Sequence, residues 1–126
     1  MNEKAMMAYT HTVALSDGSV RRMDFDMGCF AQAELAYEQR FGKDVNVNEI
    51  ISELAQQKTR AVMAMAFGAM ISAGEKITWE QFSKSVFTFK DSAALTDAVA
   101  TAVLHMYRQD DSGEGGEKNA DSRGAR

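Results

Sequence analysis

The chain has 126 residues, enough for one domain with a modest core but not for two, since a domain of this size buries roughly 60 to 70 percent of its unfolded surface. Hydrophobic residues make up 45% and charged residues 25%, values that exclude wholesale disorder and fibrous repeats. The formal net charge is -4 and the 14 Lys and Arg residues are scattered singly apart from Arg21-Arg22, so no basic stripe exists to neutralise a row of phosphates, and nucleic acid is not an expected partner.

Residues 5–26 carry hairpin signals. Tyr9, His11 and Val13 alternate with Thr10, Thr12 and Ala14, and Val20, Arg22, Asp24 and Asp26 alternate with Arg21, Met23 and Phe25. Between them Ser16-Asp17-Gly18-Ser19 supplies an Asp-Gly pair that tolerates the positive φ angles of a tight turn. After Asp26 the period lengthens, with Phe30, Ala33, Tyr37 and Phe41 three and four apart, which predicts an amphipathic helix. Asp26 can cap its start, and Gly42 can take the left-handed conformation that ends it.

Asn46-Val47-Asn48-Glu49 has capping-box spacing and predicts a short helix over residues 49–57. Residues 59–73 are apolar almost all round, including Val62, Met63, Met65, Phe67, Met70 and Ile71, the mark of a helix covered on more than one side, and Gly74 closes it. The apolar run of residues 61–74 is shorter than the ~20 residues that span a bilayer, so no membrane span is expected.

Thr78-Trp79-Glu80-Gln81 repeats the capping-box spacing and opens a short helix with Trp79, Phe82, Val86 and Phe87 along one face. Asp91 or Ser92 caps the last helix, where Leu95, Ala98, Val99, Ala102, Val103 and Met106 form a continuous stripe. From Asp110 the composition turns to Gly, Ser and charged residues, which cannot build a core. The expected architecture is α+β, mainly α: an N-terminal two-stranded hairpin, four to five helices, one domain over residues 1–109 and a disordered acidic tail over residues 110–126.

The chemistry of catalysis is sparse. A lone Cys29 rules out an intramolecular disulfide and a multi-thiolate zinc site, and it fits a helix-packing face better than a nucleophile without a neighbouring base. His11 and His105 fall on a strand and a distant helix, too few and too separate for a metal centre. Glu34 and Glu38, one turn apart, read as a solvated face, and Gly113-Glu114-Gly115-Gly116 lacks the strand and helix that frame a phosphate loop. Neither an enzyme nor a cofactor is expected. The start Met1-Asn2-Glu3-Lys4 lacks the basic and apolar segments of a secretory signal, so the expected location is cytoplasmic.

Nine methionines remain to be explained, several of them beside Phe67 on one helix. Methionine adapts to its neighbours, so Met63, Met65 and Met70 can form a forgiving core, a malleable surface for partner chains, or both. The candidate partner-binding residues are Met63, Phe67, Met70 and Ile71.

Two segments resemble the phage tail assembly chaperone family, including its gene-transfer-agent members. The first is Met23-Asp24-Phe25-Asp26 with Phe30-Ala31-Gln32-Ala33-Glu34-Leu35-Ala36-Tyr37-Glu38-Gln39-Arg40-Phe41-Gly42, similar to the family's strand, acidic helix and closing glycine. The second is the apolar helix over residues 59–73 with Ile77-Thr78-Trp79-Glu80-Gln81-Phe82, similar to its Thr-led segment before a final helix. The resemblance covers residues 20–107 as a pattern of residue classes. It implies a protein of the host cell cytoplasm that binds the tape measure protein, helps recruit tail tube subunits and is absent from the mature virion.

Weak homo-oligomerisation along the client is a further expectation. Many members of that family also make a longer product by programmed frameshifting, and Glu117-Lys118-Asn119 is compatible with a slippery codon run. The alternative is a structural tail tube or tail completion subunit, with the hairpin making ring contacts.

Overall fold

A computed structural model describes residues 7–114, with side chains through residue 107. Strands β1 (Tyr9–Ala14) and β2 (Val20–Phe25) pair antiparallel, with Tyr9 opposite Phe25 and Ala14 opposite Val20. The turn forms where the Asp-Gly pair predicts it: the Leu15 amide donates to the Ser19 carbonyl at 2.9 Å, and the Asp17 carboxylate accepts from the Ser19 amide and hydroxyl at 2.8 and 2.7 Å. Val13, Met23 and Phe25 point inward, while Thr10, Thr12 and Arg22 face out. A lone hairpin is marginal in water, and this one is held because helices cover its inner face.

Helix α1 (Met27–Phe41) begins and ends at the residues its sequence marks. The Asp26 carboxylate accepts from the Cys29 amide at 2.9 Å, and Gly42 takes φ 64°, a left-handed conformation that favours glycine because it has no Cβ. The same carboxylate accepts from the Ser72 hydroxyl at 2.6 Å, tying the start of α1 to the end of α3 (Thr59–Ser72). Cys29, Phe30, Ala33, Ala36 and Tyr37 bury one face of α1 against α3. Small residues on α3 (Ala61, Ala64, Gly68 and Ala69) are buried with Met65 and Met70, so the two backbones run close together.

Between them, α2 (Val47–Ala55) starts two residues earlier than the expected 49–57, because Asn46 takes the N-cap position and the helix begins directly after it. The full capping box forms: Asn46 Oδ1 accepts from the Glu49 amide, and Glu49 Oε1 accepts from the Asn46 amide, both at 2.9 Å. Glu53 is the buried charge of α2. Its carboxylate accepts from the Tyr37 hydroxyl at 2.8 Å and, at 2.9 Å each, from Lys43 Nζ and from Arg60 Nε and Nη2. With its oxygens so satisfied, burial of this carboxylate is offset.

After Gly74, a second full capping box at Thr78 opens α4 (Trp79–Gln81), which continues as a π-helical turn over Phe82–Val86. The final helix, α5 (Ser92–Glu114), buries Leu95, Ala98, Val99, Ala102 and Met106, the predicted stripe except for Val103, which is only partly covered. Asp91 stands at its cap position, yet its carboxylate does not serve its own helix. Oδ1 accepts from the Ser16 amide and Oδ2 from the Ser16 hydroxyl, both at 2.9 Å, fastening the hairpin turn to the start of α5.

The architecture is the expected α+β, mainly α arrangement, with hairpin, α1, α2, α3 and α5 around one core. The backbone of α5 continues past Asp110, where the composition predicts the tail to begin, as far as Glu114. The rest of that tail, and the Glu117-Lys118-Asn119 site, lie outside the described residues. Among the described residues no helix is long and apolar enough to cross a membrane.

Candidate partner-binding groove

The four residues expected to meet a partner do not share one open surface. Met70 is 0% exposed and belongs to the core, so its assignment as a contact is corrected. The reason is that α3 is flanked by α1 on one side and by the hairpin and α5 on others, leaving little of its circumference uncovered. Phe67 is half-buried, its ring edge-on to Trp79 at 5.2 Å and to Phe82 at 5.5 Å between centroids. Ile71 is half-buried as well. Only Met63 of the four lines an open apolar groove.

That groove, about 1150 Å³, runs between α2 and the first half of α3 on one side and α5 on the other, with the π-helical turn across one end. Ile51 and Leu54 come from α2, Val62 and Met63 from α3, Phe87 from just after the π-helical turn, and Val99, Val103 and Leu104 from α5. The Phe87 amide donates to the Phe82 carbonyl at 2.8 Å, the longer-range bond that defines a π-helical turn. It closes the turn from which Ser83 and Lys84 reach the groove.

Two large apolar side chains of the groove lie open to water. Phe89 is 103% exposed and Leu104 is 58% exposed. Single exposed apolar residues are ordinary, but exposed ones that border a continuous apolar trough mark a binding surface. Sequence reasoning missed both. Leu104 lies just off the buried stripe of α5, and Phe89 stands between Thr88 and Lys90 where no helix period accounts for it; each was legible as a large apolar residue without a place in the core.

The remaining reactive residues have other partners. Cys29 is buried with its thiol 3.5 Å from the Met65 carbonyl, and burial, reinforced by the nearby Asp26 charge, pushes its pKa far up, so the thiol stays protonated. Burial, followed by the Glu53 carboxylate, likewise raises the Tyr37 hydroxyl, which remains a donor. The two histidines, separate in the sequence reading, are brought to the same ring: Tyr9 Oη lies 3.3 Å from His11 Nδ1, and the Tyr9 ring stacks on His105 at 4.4 Å. Among the described residues no three His, Cys, Asp or Glu side chains converge as a metal site. Compared with protein-family models, curated proteins and solved structures, the chain gives no match.

Proposed function

We propose that this chain is a phage tail assembly chaperone, a binding protein rather than an enzyme, which holds an apolar helical stretch of the tape measure protein and helps recruit tail tube subunits. The observation that carries the reading is the groove bordered by Phe89 and Leu104: a large apolar trough open to water costs solubility unless another chain covers it for part of its working life. Burying one such side chain contributes roughly 1.5 to 3 kcal/mol, so a few suffice for a reversible complex. The chaperone would act in the host cell cytoplasm as a weak homo-oligomer along its client and be absent from the mature virion.

Co-expression with a candidate tape measure protein tests this. The expected result is a soluble complex where the client alone precipitates; a client that precipitates equally with and without the chain contradicts it. The second reading, a structural tail tube or completion subunit, draws on the hairpin, whose strands pair only with each other among the described residues and whose Val20 is well exposed. Purified particles separate the two, since a structural subunit stays in the virion in many copies.

A further inference from the structure

One wall of the groove is a single helical face. Its α5 wall presents Ser92, Thr96, Ala100 and Leu104, four residues apart on one helical face, and at ~1.5 Å per residue this wall is about 18 Å long. That length accommodates roughly three turns of a second helix. Three of the four residues are small, so a neighbouring backbone can approach closely, and the facing wall of α2 and α3 offers branched and flexible apolar side chains to interdigitate with it.

Among the described residues, positive charge marks the end where α5 begins. Lys84 is the one charged residue, among the described residues, that lines the groove. It stands on the π-helical turn, and Lys90 lies two residues before Ser92, so both belong to the end where α5 begins. Lys58 adjoins the lining residues Gln57 and Thr59. All three lysines are exposed, and among the described residues none is held in an ion pair, whereas Arg21, Arg22, Lys43 and Arg60 are. Of the carboxylates nearest in sequence, Asp91 is bound to Ser16 and Glu53 to Arg60 and Lys43, while Glu80, one turn before Lys84, is exposed and does not line the groove.

We infer that the groove's occupant is an amphipathic helix of about three turns, with an apolar ridge along its length and acidic residues at the end that meets Lys84 and Lys90. This deepens the chaperone reading and rests on it for the role of the site, while specifying the client segment by chemistry. The apolar ridge supplies affinity and the lysines set direction and discriminate among clients.

The test uses the full chain and two labelled 16-residue peptides with the same leucine ridge, one carrying three glutamates in its first turn and the other three lysines there. The glutamate peptide is expected to bind at least fivefold more tightly at low salt, with the advantage shrinking as salt is raised. Lys84→Glu should remove or reverse that preference, and Leu104→Asp should abolish binding of both peptides, with circular dichroism checking that each variant is folded. If Leu104→Asp unfolds the chain, Phe89→Ser at the fully exposed position takes its place.

Equal affinities, a preference that survives Lys84→Glu, or no binding of either peptide overturns the inference. Soluble co-expression with the tape measure protein alongside any of those results leaves the chaperone reading standing. A charge-dependent peptide interaction with no effect on the client sinks that reading instead.

Discussion

Gly68 of α3 lies so close to Cys29 of α1 that a Cβ at position 68 would stand 2.4 Å from the Cys29 carbonyl oxygen. Backbone, unlike the end of a flexible side chain, cannot step aside, so the crossing of the two helices is fixed by the absence of a side chain at this point. Gly68→Ala is therefore expected to destabilise the fold by about 1–3 kcal/mol, the usual cost of overpacking, despite alanine's better helix propensity. Urea unfolding followed by circular dichroism reads the effect, and an unchanged midpoint would show that the helices can separate without cost.

The Ser16–Asp91 pair fastens the hairpin turn to the start of α5 and can be dissected by substitution. Ser16→Ala removes one hydrogen bond and should cost about 0.5–1.5 kcal/mol. Asp91→Ala removes both and leaves the part-buried Ser16 amide without its acceptor, so its cost should be larger, about 1–3 kcal/mol. Equal losses in the two variants would mean that the amide finds water once the carboxylate is gone.

Glu53 links stability to pH. Its carboxyl is held well below its ordinary value of 4.5, first by Arg60, against the opposing effect of burial, and then by Lys43 and Tyr37. A group whose folded pKa is depressed contributes stability that is present above its unfolded value and is lost as the pH falls toward the folded one. The urea midpoint should therefore begin to fall below about pH 4.5. Glu53→Gln should lower stability at neutral pH and flatten that acid limb; a limb of unchanged slope would assign it to other carboxylates.

Phe89 and Phe67 should respond in opposite ways. Phe89 touches water on all sides, so Phe89→Ser is expected to shift stability by no more than about 0.5 kcal/mol while weakening client binding. Phe67 packs on Trp79 and Phe82, so Phe67→Asp buries a charge within an aromatic cluster and should unfold the domain. Thermal melts beside pull-downs distinguish them, and a folded Phe67→Asp variant that has lost its client would return Phe67 to the binding surface.

What the sequence made legible was local. Asp26, Asn46 and Thr78 cap helices through side chains that reach three residues on, and Gly42 ends one through its own dihedral angles, so neighbouring residues alone mark these boundaries. Contacts made across the fold could not be read that way. Asp91 has the sequence of a helix cap but binds Ser16, and Tyr9 brings together His11 and His105 from opposite ends of the chain.

The open groove was the hardest part to read, because α3 is apolar all round and its periodicity says nothing about which side remains open. Met63 fell on the groove, Met70 in the core and Phe67 against α4 and its π-helical continuation. The open side is decided by how far α5 stands from α2, a tertiary distance that no local pattern encodes.

The most direct measurement is co-expression of the tape measure protein with the wild-type chain and with a Phe89→Ser/Leu104→Asp double variant whose fold has been checked by its melting curve. The wild type is predicted to keep the client in solution and copurify with it, and the double variant, still folded, to leave it in the pellet. A folded double variant that retains the client as well as the wild type would contradict the assignment of this groove as the client's seat.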